Sequence, residues 1–315
     1  MEPLVQVLLP TYNRPQYFEL ALESVLSQTY SNYTILISDD STDTKTKELV
    51  QKKYQKHPKI HYVHNPGFSL NDNFNYLKEH ISPNAKYVNY LMDDDLFYPT
   101  KLAEMVAFLE EYPDALLCTS PRDLIDAEDK VTDQQKPLNP EPVLVDGIEL
   151  GKLILFSGDN YIGEPTTPLI RATILNQPYF GRQEGASEYL IQDILRWFAI
   201  LSQGKIIMLP KPLSAFRAHS ANGSLENDTP FLLRIVWATI IKAAWEQKVF
   251  LTTEQDLKEA LYTWLYHSNA VETRAILHKT NSQYLDRFKA LTSYIYTDLQ
   301  GGLKLDFNSI LYPAK

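Results

Sequence analysis

The sequence predicts an α/β fold, a mostly parallel sheet flanked by helices, with a C-terminal all-helical appendage. Three observations predict it. Short β-rich runs alternate with segments of helical period over the first hundred residues, polar clusters directly follow those runs, and the composition shifts to long helical segments after Asn222-Gly223-Ser224. Strands separated by helices at this spacing imply right-handed crossovers and a sheet covered on both faces.

The elements follow in order. Val5-Gln6-Val7-Leu8-Leu9 is β-rich and stops at Pro10, and a helical pattern over Tyr17 to Gln28 repeats Phe18, Leu22, Val25 and Leu26. Tyr33 to Ser38 is the next strand, followed by the polar loop Asp39-Asp40-Ser41-Thr42-Asp43 and a helix near Thr44 to Tyr54. Ile60 to His64 leads through Asn65-Pro66-Gly67 into a helix from about Asn71 to His80. Lys86 to Met92 is a fourth apolar strand and ends at Asp93-Asp94-Asp95. From Pro121 to Asp146 the chain is rich in Asp, Pro and Gln without sustained periodicity, which reads as a surface excursion. Regular patterns return over Gly147 to Phe156, in a helix over Ala186 to Ser202 ended by Gly204, and in a strand around Lys205 to Leu209. Three long helices follow, about Pro230 to Lys248, Thr253 to Glu272 and Asn281 to Asp298.

Composition narrows the function. A formal net charge of −9 in 315 residues, with no basic stripe, argues against a nucleic-acid partner, which would be held through accumulated Lys and Arg. Cys118 is the sole cysteine and lies in an apolar run, so a buried thiol and a reducing compartment, the cytoplasm, are expected. Met1-Glu2-Pro3-Leu4 shows no signal-peptide pattern, and no run of 18 uncharged apolar residues is long enough to span a membrane.

In open α/β sheets, ligands bind at the carboxyl ends of the strands. Thr11-Tyr12-Asn13-Arg14, Asp39-Asp40-Ser41, Asn65 and Asp93-Asp94-Asp95 each follow a strand, so the fold gathers them along one edge. Three adjacent carboxylates repel one another unless a cation neutralises them. Oxygen ligands suit Mg²⁺ or Mn²⁺, which take one or two carboxylates and fill the remaining positions with phosphate oxygens. The competing reading is a solvated acidic turn, since Asp is favoured at caps.

At these residues the chain resembles a family. Val5 to Arg14, Ser24-Val25-Leu26-Ser27-Gln28-Thr29-Tyr30 and Ile37-Ser38-Asp39-Asp40-Ser41 look like family-2 glycosyltransferases, inverting enzymes of the GT-A fold, and Leu91 to Leu102 is similar to their metal motif. Gln192 to Trp197 and Pro210 to His219 match the expected later half, so the likeness runs in order over about residues 4 to 224. It implies a GT-A catalytic domain over 1–224, with a nucleotide-binding half at 1–100 and an acceptor half at 101–224, ahead of a helical domain at 225–315. It also implies transfer of a sugar from a nucleotide diphosphate donor, a UDP-sugar, to a hydroxyl of a glycan, lipid-linked or protein-linked acceptor in cell-surface polysaccharide or glycoconjugate synthesis.

Carried over by position, the resemblance sets Pro10, Thr11, Tyr12 and Arg14 beside the nucleotide, with Tyr12 able to stack on the base. Asp39 would accept from a uracil imide, with Asp40 beside it. Asn65, Asn71 and Asn73 fall where relatives reach base and ribose, and are equally turn and cap residues. Asp95 and Asp94 are the candidates for metal and diphosphate, Asp93 lying nearer the ribose or sugar. Many relatives begin this motif with Asp where Met92 stands, which leaves the register open. His219 is a further metal-ligand candidate, and Arg217 pairs either with phosphate or with an acidic neighbour. Asp193 is the candidate base for the acceptor hydroxyl. Gln192 stands where relatives carry a first acid, so Glu188, one turn earlier, competes; the rival reading is that Asp193 and Glu188 are ordinary solvated helix carboxylates. Glu164, in Gly163-Glu164-Pro165-Thr166-Thr167-Pro168, which resembles the loop below the acceptor in relatives, is the acceptor candidate; the segment reads equally as a rigid Pro-bounded turn.

The apolar stripes Phe231, Ile235, Trp237, Ile240, Ile241 and Trp245, then Leu261, Trp264, Leu265 and Tyr266, suit packing within the appendage, acceptor binding or a homo-oligomer interface. Basic residues are too sparse there to favour the peripheral role at the inner membrane face that lipid-linked acceptors suggest. Two rival classes are a nucleotidyltransferase-like nucleotide enzyme, which the glycine-free Pro10 to Arg14 loop disfavours, and an inactive nucleotide-sugar-binding module, which the retained acids disfavour.

Overall fold

The computed structural model describes residues 2–181, 192–218, 228–280, 282–306 and 310. Two compact units emerge, one of residues 1–145, 162–177 and 204–219, the other of residues 146–161, 178–203 and 220–315.

The first unit is the α/β unit. β1 (Leu4–Thr11), α1 (Pro15–Leu26), β2 (Tyr33–Asp39), α2 (Lys45–Lys53), β3 (Ile60–His64), α3 (Leu70–Glu79) and β4 (Ala85–Tyr90) alternate as the periodicity predicts. β5 (Leu96–Phe97), α4 (Lys101–Glu111), β6 (Ala115–Thr119), β7 (Arg122–Ile125), β8 (Val131–Gln134) and β9 (Val143–Val145) follow, and β10 (Leu169–Arg171), β11 (Lys205–Met208) and β12 (Ser214–Arg217) complete the unit.

The main sheet has the order β3-β2-β1-β4-β10-β6-β11-β9. β1, β2, β3 and β4 run parallel, β10 is antiparallel to β4 and β6, and β9 is antiparallel to β11. A second sheet, β5-β12-β7-β8, crosses the region read from sequence as a surface excursion. Within that surface stretch residues 122–125, 131–134 and 143–145 are strands. They escape periodicity because β8 is exposed along its whole length and carries polar residues on both faces.

β1 shows why the sheet is buried on both sides. Val5, Val7 and Leu9 face a core of Phe18, Leu22 and Val25 from α1 and Leu102, Met105 and Leu109 from α4. The opposite face carries Leu8 and Gln6, both buried, and Gln6 Oε1 accepts the Ser82 amide at 2.6 Å, which satisfies a polar group that burial would otherwise penalise.

The second unit is helical, built from α5 (Gly147–Ser157), α6 (Gln192–Leu201), α7 (Thr229–Gln247), α8 (Glu254–His278) and α9 (Leu285–Gly301). The sequence boundary after residue 224 separates only α7 to α9, whereas by compactness α5 and α6 group with them. Asp146 caps α5 by accepting the amides of Ile148 and Glu149, and Gly158 ends it at φ 75°. Thr253 and Asp256 form a capping box on α8. Phe180, Phe198 and Phe250 pack edge to face or tilted, with centroids 5.2 to 6.0 Å apart, and Trp264 Nε1 donates to the Arg234 carbonyl at 2.7 Å. No helix among the described residues is long and apolar enough to cross a membrane.

Candidate active site at the carboxyl edge of the sheet

Register brings the sequence clusters together. Thr11 lies opposite Asp39, Asp39 opposite His64 and Leu8 opposite Tyr90, so the loops after β1, β2, β3 and β4 leave the sheet along one edge. The turn after β1 is tight: Asn13 takes φ 54°, donates its amide to Ser41 Oγ at 2.8 Å and accepts the Thr42 amide at 3.0 Å. Asn tolerates this left-handed conformation better than most residues, and the two bonds tie the β1 loop to the β2 loop.

Asp93 is the anchor of the acidic triplet. Its Oδ2 accepts the Thr11 hydroxyl at 2.9 Å and the Tyr12 amide at 3.1 Å, while Arg14 Nη1 reaches its Oδ1 at 3.3 Å and Asp94 Oδ2 at 2.7 Å. Asp95 is equally held: Thr166 donates its hydroxyl at 2.5 Å and Arg217 its backbone amide at 3.1 Å. Both carboxyls are buried, and burial together with the charge of Asp94 raises their pKa values above the usual carboxylate range. The Asp94 side chain retains 12% exposure, more than the 6% of Asp93.

The β2 loop carries a second polar nest. Asp39 is buried, accepting the Ser41 amide at 2.9 Å and the Tyr62 hydroxyl. Asn73, fully buried on α3, donates to Asp40 Oδ1 at 2.6 Å and to the Ser38 carbonyl at 3.1 Å, and Asn65 donates to Ser38 Oγ at 3.0 Å. Burial lifts Asp40 to about 6, against the opposing pull of its own backbone amide and Asn73. Asn73 Oδ1 is buried without a hydrogen-bond partner among the described residues. Tyr12, by contrast, is half exposed above this edge.

The structure therefore gathers Pro10, Thr11, Tyr12, Arg14, Asp39, Asp40, Asn65, Asn73, Asp93, Asp94 and Asp95 along the same edge. Glu164 sits in a Gly163-led turn and is clasped by Arg122, whose Nη2 donates to Oε1 at 2.5 Å while Nε pairs with Oε2. Arg217 is fully buried, donating to the carbonyls of Asp94 at 2.8 Å and Asp126 at 2.9 Å and pairing with Asp129 at 2.5 Å. Asp193, in the first turn of α6, is partly buried and belongs to the helical unit. Glu188 and His219 lie outside the described residues.

Sequence reasoning missed Arg122, and it named Thr166 only as part of a turn. Arg122 follows Pro121 in a polar stretch without pattern, and nothing local marks it. Thr166 was legible only as one of two Thr between prolines.

Among the described residues no group of three His, Cys, Asp or Glu side chains forms a ready-made metal cage. Adjacent oxygen donors at Asp94 and Asp95 nevertheless suit a hard divalent cation that takes one or two carboxylates and draws its other ligands from phosphate and water.

The glycosyl transferase family 2 profile matches residues 6–166, just over half the chain. Relatives include an uncharacterized glycosyltransferase of Rickettsia bellii, 29% identical over 229 residues, covering 70% of this chain and 31% of that protein. Another, from Nostoc sp., is 26% identical over 231 residues, covering 70% of this chain and 66% of that protein. The chain thus spans about a third of the first relative's length and under two thirds of the second's. Among solved structures, S. aureus TarS 1–349 in complex with UDP-GlcNAc superposes at a TM-score of 0.59 with 16% identity, covering 96% of this chain and 90% of that one. The mostly parallel sheet is the GT-A architecture, and with the profile spanning β1 through the Thr166 loop that holds Asp95, the chain belongs to glycosyl transferase family 2.

Proposed function

We propose that the chain is an inverting glycosyltransferase that moves a sugar, a hexosyl or N-acetylhexosaminyl group, from a UDP-linked donor to an acceptor hydroxyl of a glycan or of a lipid- or protein-linked glycoconjugate, with Mn²⁺ or Mg²⁺. The observation that carries it is the convergence of Thr11, Tyr12 and Arg14 on Asp93 and Asp94 beside the Asp39 nest. The crystal structure of S. aureus TarS with UDP-GlcNAc supports the donor class.

The half-exposed Tyr12 ring offers a face to a nucleobase. Asp39 has lone pairs beyond those used by Ser41 and Tyr62, enough to accept an imide N–H. Asp94 and Asp95 would hold the cation, which when bound supplies Lewis-acid stabilisation of the departing diphosphate. Asp193 takes the proton of the acceptor hydroxyl as its oxygen bonds to the anomeric carbon, while the bond from that carbon to the phosphate oxygen breaks and its electron pair leaves with UDP.

The test is thermal unfolding of the full chain with UDP, UDP-sugars and other nucleotide sugars, with and without Mn²⁺, alongside UDP release on adding acceptor. A nucleotide held by the folded state raises the midpoint by mass action. Asp94→Asn is expected to keep a cooperative transition and lose the Mn²⁺-dependent part of the shift. No shift with any uridine nucleotide sinks the assignment.

A further inference from the structure

Arg14 occupies a telling position. Its Nη1 lies 2.7 Å from Asp94 Oδ2 and 3.3 Å from Asp93 Oδ1, so one guanidinium nitrogen neutralises two neighbouring carboxylates. Asp94 is the most accessible of the three acids and, under the transferase reading, a metal ligand. The other two acids also accept from protein donors, Asp93 from Thr11 and Tyr12 and Asp95 from Thr166 and the Arg217 amide, and are less exposed than Asp94. A cation approaching this edge in the absence of nucleotide therefore meets a carboxylate that carries an internal counter-cation.

We infer that Arg14 is an exchangeable counter-ion: it holds Asp94 until nucleotide diphosphate and metal arrive together, and then transfers its guanidinium to the diphosphate. This inference rests on the transferase reading and adds to it an order of binding. The argument is one of charge. Two cations on one carboxylate oppose each other, whereas a diphosphate brings enough negative charge to accept both the guanidinium and the metal. The side chain is placed to make this exchange. It is 30% exposed, is not locked in the core, and is carried on the tight β1 turn at Asn13. A guanidinium donates charge-assisted N–H bonds to carboxylate and phosphate alike, so the exchange replaces the Nη1 bond to Asp94 by another of like kind.

The consequence is a coupling between metal and nucleotide that is reciprocal by linkage. In wild type, Mn²⁺ alone binds weakly, UDP alone binds modestly, and each tightens the other. Removing the guanidinium takes one counter-charge away from Asp94 and removes a diphosphate contact. Arg14→Gln is therefore expected to bind Mn²⁺ alone about two- to fivefold more tightly, the range for loss of one partly exposed ion pair. It is expected to bind UDP in EDTA more weakly, so that the mutual enhancement shrinks.

The experiment is titration of the full chain with Mn²⁺ alone by electron paramagnetic resonance, and with UDP in EDTA and in saturating Mn²⁺ by calorimetry. Wild type, Arg14→Gln and Arg14→Lys are compared, each checked for a cooperative thermal transition. Arg14→Lys keeps the charge without the fork and should fall between the other two, which keeps the inference testable if the Gln variant misfolds. Unchanged or weaker Mn²⁺ binding in Arg14→Gln, with wild type still binding UDP, overturns the counter-ion exchange and leaves the transferase reading standing. A wild-type chain that binds neither Mn²⁺ nor UDP overturns both.

Discussion

Lys101 opens α4 with its ammonium fully buried. Its Nζ donates to the Thr167 carbonyl, lies 3.5 Å from Met105 Sδ and 5.0 Å from the centre of the Phe97 ring, and meets no carboxylate among the described residues. Burial lowers its pKa from 10.5 to about 7. Between these values the folded chain binds fewer protons than the unfolded one, so stability rises with pH across the interval and is lowest below pH 7, where both states are charged. At about 1.4 kcal/mol per pH step, the whole interval is worth about 5 kcal/mol, of which about 2 kcal/mol falls between pH 7 and 8.5. Lys101→Met removes the titration but leaves the Thr167 carbonyl without its donor, a pH-independent cost of about 1–3 kcal/mol. The discriminating quantity is therefore the slope. Urea unfolding of both proteins across pH 7 to 8.5, followed by far-UV circular dichroism, should show wild type gaining about 2 kcal/mol on the variant. Cys118, whose thiol burial pushes up against the opposing charge of Lys101, stays protonated in the folded state of both proteins over this range, so only the unfolded-state thiol, common to both, titrates. Tryptophan fluorescence makes a separate control, because Trp197, Trp237, Trp245 and Trp264 all belong to the helical unit. Parallel pH profiles for the two proteins would refute the account of a destabilising buried ammonium.

Asp256 supports the helical unit by accepting the Thr252 and Thr253 amides at 3.2 and 3.0 Å and pairing with Lys152 at 2.7 Å. Desolvation raises its pKa, but Lys152 and those amides outweigh it and hold the carboxyl below the usual range. Asp256→Ala should lower the tryptophan-monitored stability by about 2 kcal/mol at pH 7. That gap should narrow as pH falls below about 4, where the unfolded carboxyl is already protonated and the folded one begins to be; a pH-independent gap contradicts the ion pair. At the proposed nucleotide nest, Asp39→Asn should weaken UDP binding by about ten- to a hundredfold while the chain still unfolds cooperatively. Calorimetric titration with UDP checks this, and undiminished affinity removes Asp39 from the binding role.

The central strands were legible because parallel strands buried on both faces read as near-continuous apolar runs, broken only by Gln6 in Val5 to Leu9 and by Thr34 in Tyr33 to Ile37. The gathering of the candidate residues along one edge was legible too, since each strand end is marked by residues an apolar core would not tolerate. What escaped was everything set by distant pairing. β10 is three residues long and owes its place to β4 and β6, and β7 to β9 carry no alternation that a local window detects. Arg122 and Thr166 were missed or undervalued for the same reason: their partners, Glu164 and Asp95, lie 42 and 71 positions away. The boundary at 224 followed sequence order, whereas α5 and α6 are grouped with the later helices by contacts that sequence order does not reveal.

The insertion of β10 between β4 and β6, with β11 pairing on the far side of β6, bears on how the protein is made. A nascent chain that has emerged only to residue 166 contains every acid of the triplet, yet the edge of β4 has no neighbour and Asp95 still lacks the Arg217 amide. Bare strand edges of this kind invite pairing with other chains. Translation must run some fifty residues past the family's signature before the acidic loop has both of its anchors, so a prematurely terminated product would carry the recognisable motif on a scaffold open to aggregation.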